Sequence, residues 1–486
     1  MKLLKDILYK VEIQSVIGKT DVDINKIEFN SKKIIKNDLF IAIKGYKSDG
    51  NSFISSAISN GASVIICNSL PIEIIKDVTY IVVNDSRKTL ALISSNYYDN
   101  PSKKIKLIGI TGTNGKTSSA TLMYQLFKSF NKKAGLISTN IILVDDNKFN
   151  TNQTTPDSLF VNYILNKMVA SKVEYCFMEV SSHAISQMRI FNLSFDVGVF
   201  TNLTHDHLDY HNSFKDYRDV KKQFFDTLPK SGFAITNIDD KNGDYMVQNT
   251  ICETYSYSLK SNSDFSLKIL EKDFNGMKLL INDIELWTKL TGSFNAYNIL
   301  TVFCVAKVFD ISDELVLQNI SSLNSPEGRF ELINLESDKI GIIDYAHSPD
   351  SLKNVLNTIN DIKNSSDSLI TVVGCGGDRD KEKRPLMGKI ACSLSDKVIF
   401  TSDNPRFEDP ATIVDQMKNG VENKDKHKFI LELNRKKAIQ DACKLADNSD
   451  VILIAGKGHE KYQIKGDEKI EFNDKEILIE SLKNNK

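Results

Sequence analysis

Residues 111–117 read Thr-Gly-Thr-Asn-Gly-Lys-Thr and follow the largely apolar run from Ile105 to Ile110. A strand that runs into a Gly-rich turn and then presents Lys and Thr at the mouth of a helix is a phosphate cradle. The backbone N–H groups of Thr111, Gly112, Thr113, Asn114 and Gly115, with the helix N-terminus behind them, face anionic oxygens. Lys116 is placed to reach the β- and γ-phosphates, and the Thr117 hydroxyl suits Mg²⁺. The loop thus requires a doubly wound α/β unit around it and points to use of a nucleoside triphosphate. It also departs from the usual Gly-x-x-x-x-Gly-Lys-Ser/Thr. Position 110 is Ile, and the glycines stand at 109 and 112 instead, which argues for a particular subfamily rather than a generic GTPase or kinase.

A chain of 486 residues has room for two to four domains at roughly 100–200 residues each. The formal net charge of −1 gives no bulk electrostatic case for nucleic acid or a membrane surface. The first ten residues alternate Lys with Leu and Ile without a long apolar core, so no signal peptide is expected. No stretch approaches the roughly 18 apolar residues of a membrane span. The seven cysteines form no C-x-x-C pair and read as reduced, buried thiols of a cytoplasmic protein.

The chain divides into three blocks, 1–101, 102–326 and 327–486. The first holds short apolar strands (Leu39 to Ile43, Val64 to Cys67, Tyr80 to Val83), a helix from Phe53 to Gly61 and another from Lys88 to Tyr98, and closes at Asp99-Asn100-Pro101-Ser102. The second alternates strands such as Tyr175 to Val180 and Val197 to Asn202 with helices. It passes through a strand-like stretch, Phe265 to Leu290, and ends in a helix from about Ala296 to Val308. The third again alternates strands (Ile340 to Asp344, Leu369 to Gly374, Lys397 to Thr401, Val451 to Ala455) with helices. The expected fold class is therefore α/β in three domains, the central one a P-loop-type unit with a mostly parallel sheet.

Polar clusters recur where strands end. Glu179 closes an apolar strand and opens Glu-Val-Ser-Ser-His, and a carboxylate at a strand end beside a phosphate loop is a natural Mg²⁺ ligand. Residues 205–211, His-Asp-His-Leu-Asp-Tyr-His, hold three of the seven histidines. Zinc is the rival reading, but no cysteine cluster accompanies them, and a neighbouring nucleotide favours magnesium. Asn295 and Asn298 open a helix behind Gly292-Ser293-Phe294. In the third block, Asp344 to Asp350, Gly374 to Asp380, Asp403 to Arg406 and Gly456 to Glu460 follow four successive strands. One such loop is ordinary turn chemistry; four at the carboxyl ends of one sheet make a site.

Taken in order, TGTNGKT (111–117), EVSSH (179–183), TNLTHDHLDYH (201–211), GSFNAYN (292–298), DYAHSPD (344–350) and GKGHE (456–460) resemble the Mur ligases, ATP-dependent amino-acid-adding enzymes of peptidoglycan synthesis. The resemblance spans all three blocks. The segments GGDRDKEKRPLMG (376–388) and DNPR (403–406) narrow it to members that add the third residue. It implies an N-terminal UDP-binding α/β domain, a central ATP-binding domain and a C-terminal Rossmann-like domain that binds the amino acid. Asn30-Ser31-Lys32-Lys33 resembles the UDP-binding segment, with conservative changes from its usual Asp-Ser-Arg.

The same resemblance implies the site. Thr111 to Thr117, Asn295, Arg329 and Asp344 would bind ATP. Ser31, Thr154, Thr155, Ser181, Gln187 and Arg189 would hold UDP-N-acetylmuramoyl-L-Ala-D-Glu. Arg379, Asp403, Asn404, Pro405, Arg406, Gly456 and Glu460 would bind meso-diaminopimelate. Lys116, Glu179, His207 and Lys221 would be catalytic, and Thr117, Glu179, His207 and a carbamylated Lys221 would ligate Mg²⁺. An ammonium cannot ligate a cation, whereas its CO₂ adduct is an anionic oxygen ligand. Lys222 is the alternative, and the Tyr four positions before Lys221 favours Lys221. Arg406 would pair bidentately with the distal carboxylate that diaminopimelate has and lysine lacks. Lysine, lanthionine or another diamino acid stays open as acceptor, as does a non-catalytic nucleotide-binding scaffold. A cytoplasmic monomer is expected.

Overall fold

Strands that are apolar at every position must be covered on both faces, and that requirement organises this chain. The computed structural model describes residues 1–45, 48–151, 153–206, 210–333 and 339–484. In the N-terminal unit a five-stranded sheet runs in the order Ile13–Ile17, Thr79–Val83, Ala62–Cys67, Asp38–Ile41, Ile27–Glu28, antiparallel only in the first pair. Leu39, Ile41, Val64, Ile66, Ile81 and Val83 bury one face. Their alternates Phe40, Ile65, Cys67, Tyr80 and Val82 bury the other, the period of two expected of a strand.

The central sheet has eleven strands. Its parallel core runs Ala134–Ile137, Tyr175–Glu179, Lys106–Thr111, Val197–Phe200, Phe233–Asn237, Glu253–Ser258. Short antiparallel strands, Ile142–Val144 and Asn147–Phe149, finish one edge. The strand-like stretch after Phe265 is a meander, Phe265–Asp273, Gly276–Ile281 and Ile284–Thr288, that finishes the other. Helices Lys116–Ser129 and Ser293–Val308 share one core with this sheet. Helices Ser158–Ala170 and Phe214–Asp226 pack on the opposite face. Lys106–Thr111 lies mid-sheet between the strands ending at Glu179 and Phe200, so the phosphate loop emerges between their carboxyl ends.

The C-terminal sheet runs Glu331–Ile333, Ile340–Asp344, Val451–Ala455, Leu369–Val373, Lys397–Phe400, Phe429–Leu431, and only its first pair is antiparallel. Most expected strands are present, several ending one or two residues sooner, as at Glu179, Phe200, Val373 and Phe400; after the last three, Thr201, Gly374 and Thr401 take over the turn. The segment expected as a helix from Phe53 is a 3₁₀ turn, Gly50–Phe53, followed by helix Ile54–Ser59. The expected Lys88 helix starts earlier, at Ser86, because Asp85 caps it by accepting from the Arg87 and Lys88 N–H groups. Among the described residues no helix is long and apolar enough to cross a membrane.

Candidate active site

The phosphate loop is held in shape by the neighbouring strand's carboxyl end. The Asn202 carbonyl accepts from Thr113 N–H at 2.8 Å, and the Asn202 side chain accepts from Asn114 N–H at 2.9 Å. Thr201 Oγ1 donates to the Asn114 carbonyl at 2.7 Å. Gly112 has φ +151, and a Cβ there would lie 1.9 Å from Thr201 Oγ1, so only glycine allows this approach. Gly115 takes φ +84 as the helix begins, and a Cβ there would lie 2.9 Å from Asn298 Oδ1. Asn298 also accepts from Ser119 Oγ at 3.2 Å and donates to Asn295 Oδ1 at 3.0 Å. The second asparagine is thus a brace for the loop that the first only completes.

Two lysines meet under this loop. Lys116 Nζ donates to the Gly112 and Thr113 carbonyls at 2.9 and 2.7 Å. Lys221 Nζ, on helix Phe214–Asp226, donates to the Gly112 carbonyl at 3.0 Å and Thr111 Oγ1 at 3.3 Å. Lys221 is 1% exposed, and burial, then the Lys116 ammonium beside it, holds its pKa well below that of a free lysine. Burial also lowers Lys116, against the pull of Glu179 and Asp206. Lys222 instead pairs with Asp226 one turn along its own helix. A buried amine driven toward its neutral form is the nucleophile that CO₂ requires, and the burial and neighbouring ammonium at Lys221 act in that direction.

Glu179, 1% exposed, accepts from Thr139 N–H at 2.7 Å and Thr139 Oγ1 at 3.2 Å. Thr139 in turn donates to Thr154 Oγ1 at 3.1 Å, and Thr155 Oγ1 donates to the Glu179 carbonyl at 2.7 Å. Ser181 caps the short helix Ser182–Ser186 and donates its N–H to Thr155 Oγ1 at 3.1 Å. Arg189 donates to the Thr155 carbonyl at 2.6 Å and to Gln187 Oε1 at 2.7 Å. Five of the six residues expected around the UDP-linked peptide therefore form one connected set. Ser31 stands apart at the head of a 3₁₀ turn, Ser31–Lys33. A cavity of about 350 Å³, lined by Lys33, Gln153, Asp157 and Phe160 among others, separates that turn from the Thr154 loop.

The hydroxyl of Thr117, the Glu179 carboxylate and the Lys221 nitrogen are hard or potentially hard donors around one loop, and they fit a divalent cation of the magnesium type. His207 lies outside the described residues. Among the described residues no group of three or more His, Cys, Asp or Glu forms a metal site.

The third unit reaches across to the phosphate loop. Asp350 Oδ2 accepts from Asn114 Nδ2 at 2.8 Å and from Thr204 Oγ1 at 3.2 Å. Arg329 Nη2 donates to Thr117 Oγ1 at 3.3 Å, and the guanidinium lies 4.4 Å from the Tyr345 ring centroid. Asp344 accepts from Phe330 and Ala346 N–H at 2.6 and 2.7 Å. Burial raises its pKa, against the pull of Arg329. Asn295 borders a cavity of about 260 Å³ with Thr291, Asn324, Phe330 and Glu331 at the junction of the two units.

At the carboxyl edge of the C-terminal sheet, Asp403 and Asn404 are buried. Asn404 Nδ2 donates to Glu460 Oε2 at 2.8 Å. Arg406 takes a left-handed φ of +53, anchored by its N–H to the Ile464 carbonyl at 3.1 Å. Its guanidinium donates from Nη1 to the Gly377 carbonyl at 2.7 Å and, at 3.5 Å, to the Asn404 carbonyl, while Nε and Nη2 meet no described residue. The Asp403 carboxylate likewise accepts from none and faces Gly456, where a Cβ would lie 2.7 Å from Oδ2. Arg379 is exposed, without a hydrogen bond to another described residue. Thr139 is built into the site without standing in any motif of the sequence, and Asp350 and Lys457 stood in the runs DYAHSPD and GKGHE without an assigned role. Contacts such as Thr139–Glu179, Asp350–Asn114 and Lys457–Asn404 span tens to hundreds of positions.

A P-loop unit flanked by two further α/β units, with the site at their junction, defines a nucleotide-dependent ligase of three-domain type. Family models for the Mur ligase family catalytic domain, Mur ligase middle domain and Mur ligase glutamate ligase domain match residues 23–98, 110–306 and 328–458. The chain belongs to the Mur ligase family. It is 48% identical over 481 residues, 99% of each chain, to a protein of Cytophaga hutchinsonii named UDP-N-acetylmuramoyl-L-alanyl-D-glutamate–2,6-diaminopimelate ligase. Proteins of the same name from Bacteroides fragilis and Clostridium tetani are 47% and 40% identical, over 98% of both chains for the first and 99% for the second. A solved structure of a ligase of that name superposes with a TM-score of 0.70 at 27% identity, covering 99% of both chains.

Proposed function

We propose that this protein joins meso-diaminopimelate to the D-glutamyl carboxylate of UDP-N-acetylmuramoyl-L-Ala-D-Glu at the expense of ATP. The observation that carries the reading is Arg406. It is fixed in a left-handed turn with part of its guanidinium uncommitted, in a loop facing a second uncommitted charge, the Asp403 carboxylate. An amino acid with a carboxylate at its far end complements that pair, and the names of the relatives agree.

In the scheme, the D-glutamyl carboxylate attacks the γ-phosphorus of ATP, giving an acyl phosphate and ADP. The unprotonated amine of diaminopimelate then attacks the acyl carbon, and inorganic phosphate leaves. Lys116 and the loop amides of Gly112 to Gly115 neutralise charge growing on the transferring phosphoryl. Arg189, with Gln187, Thr155 and Ser181, orients the peptide arm. Arg329 and Asp344 fix the nucleotide side of the junction, and closure of the third unit excludes water from the acyl phosphate. Thr117, Glu179, His207 and carbamylated Lys221 would hold Mg²⁺, which supplies Lewis-acid charge stabilisation when bound. Seven free, buried thiols support a reducing compartment, hence a cytoplasmic enzyme, here taken as a monomer.

The test is ATP-dependent phosphate release with UDP-N-acetylmuramoyl-L-Ala-D-Glu, comparing meso-diaminopimelate with L-lysine. Turnover with diaminopimelate, falling about 30-fold or more in kcat/KM in Arg406→Ala, is expected for loss of a bidentate charged contact. Preference for lysine would retain the ligase and overturn the role of Arg406. Nucleotide binding without turnover on either would favour a scaffold.

A further inference from the structure

Beneath the proposed amino-acid pocket lies a lysine that the reaction scheme leaves unused. Lys457 is 0% exposed. Its Nζ donates to Asn404 Oδ1 at 3.0 Å and to Glu460 Oε2 at 3.0 Å, and it sits 5.6 Å from the centroid of the Tyr462 ring. Asn404 Nδ2 donates to the same Glu460 oxygen at 2.8 Å. Both protein donors therefore occupy Oε2, and Oε1 accepts nothing from any described residue. A Glu460 side chain gripped on one oxygen presents the other in a fixed direction.

The charge balance follows from four side chains. Arg406 and Lys457 are cations, and Asp403 and Glu460 are carboxylates, so together they carry no net charge; Arg379, also expected at this pocket, is exposed and screened by solvent, and the buried Arg435 is neutralised by Asp474. The distal end of meso-diaminopimelate, an ammonium and a carboxylate on one carbon, is also neutral overall. The distal end of L-lysine carries a full positive charge. Without Lys457 the same pocket would be anionic by one unit and would suit a bare ammonium. Rejecting the wrong substrate by placing a like charge behind the right one's contact is specificity by repulsion.

Resting on the reading that this chain adds meso-diaminopimelate, we propose that Lys457 is a specificity-determining residue. It touches no substrate, aims Glu460, and holds the pocket neutral against amino acids with an unaccompanied distal ammonium.

The test measures kcat and KM for meso-diaminopimelate and L-lysine in the full chain and in Lys457→Met, Lys457→Gln and Lys457→Arg. In the two neutral variants the diaminopimelate-to-lysine ratio of kcat/KM should fall about tenfold or more, because one unit charge at short range has been removed. The change should lie mainly in KM, rising for diaminopimelate and falling for lysine. Lys457→Arg, which keeps the charge, should hold the ratio within about threefold of the parent. Lys457→Met/Glu460→Gln removes one charge of each sign and should bring the ratio back toward the parent value. A merely structural lysine would lower both substrates together and leave the ratio unchanged, and that result would overturn the proposal. A parent enzyme that turns over neither amino acid would refute the proposed function itself. A parent that selects diaminopimelate while the neutral variants keep its ratio would refute only the role of Lys457.

Discussion

Arg435 and Asp474 form an ion pair with both side chains 0% exposed, and removing one partner should unfold the C-terminal unit selectively. Two parallel contacts, Nε to Oδ1 at 2.8 Å and Nη2 to Oδ2 at 2.7 Å, are the only described donors to this carboxylate. In Arg435→Met the Asp474 charge stays buried with no counter-ion, which costs about 3–5 kcal/mol. Asp474 begins helix Asp474–Asn484, and the helix dipole returns about 0.5 kcal/mol of that. Nη2 also donates to the Ala455 carbonyl at 3.1 Å, a bond whose loss adds about 1 kcal/mol. The sum, about 4.5 kcal/mol, corresponds to a fall in Tm of roughly 9–18 °C for a unit of this size. The single tryptophan, Trp287, lies in the central sheet. Thermal melts followed in parallel by circular dichroism and by Trp fluorescence should then separate, the early transition appearing in dichroism alone. Arg435→Met/Asp474→Leu, which removes both charges, should recover stability to within about 1 kcal/mol of the parent. A single variant costing under about 1 kcal/mol, or a double variant no better than the singles, would refute this account of the pair.

Lys221→Ala should lower kcat by about 100-fold or more if the buried nitrogen serves the phosphoryl site. Lys222→Ala, which loses a half-exposed pair with Asp226 and a contact with the Tyr245 ring but nothing at the phosphate loop, should cost less than about fivefold. Steady-state phosphate release in bicarbonate-supplemented buffer compares the two. Gly112→Ala forces a side chain into Thr201 at a left-handed backbone position. ATP affinity by calorimetry should weaken about tenfold or more, and strain of about 1–3 kcal/mol should lower Tm by roughly 2–12 °C. His459 is held near pKa 3 by burial first and then by Arg329, Lys457 and Lys461. The unfolded chain takes up a proton at about 6.5 that the folded chain refuses, so this contribution is complete above about 6.5 and is lost as the pH falls below it. Urea midpoints at pH 7.5 and 5 should differ less in His459→Gln than in the parent, by about 1–2 kcal/mol; equal differences would exclude His459 as the source.

The phosphate loop and the strand-end clusters were legible because their chemistry is local. Glycine, lysine and threonine must be adjacent to cradle a phosphate, and a strand that ends in Asp-Asn-Pro-Arg announces itself. The displaced glycine has a structural cause. Strand Lys106–Thr111 continues one residue past Ile110, so the turn begins at Gly112. Gly109 stays within the strand, where a Cβ would lie 2.5 Å from the Phe224 ring. Contacts that cross between units left no such mark. Asn114 and Asp350 are 236 positions apart, and nothing near Arg435 names Asp474. Lys457 was visible as a letter inside GKGHE, but its burial against Asn404 was not. Strands Phe233–Asn237 and Glu253–Ser258 also escaped, being short and partly polar at parallel positions that only their neighbours make favourable.

The amino-acid loops all hang from strands whose hydrogen bonds run to other strands, between Val373, Phe400 and Ala455. Changing what the loops say therefore leaves the ladder that carries them untouched. Recognition of the incoming amino acid is in this sense exchangeable cargo on a fixed frame. Retargeting such an enzyme becomes a matter of rewriting three short segments, with the one proviso that the Arg435 tie to Ala455 is kept.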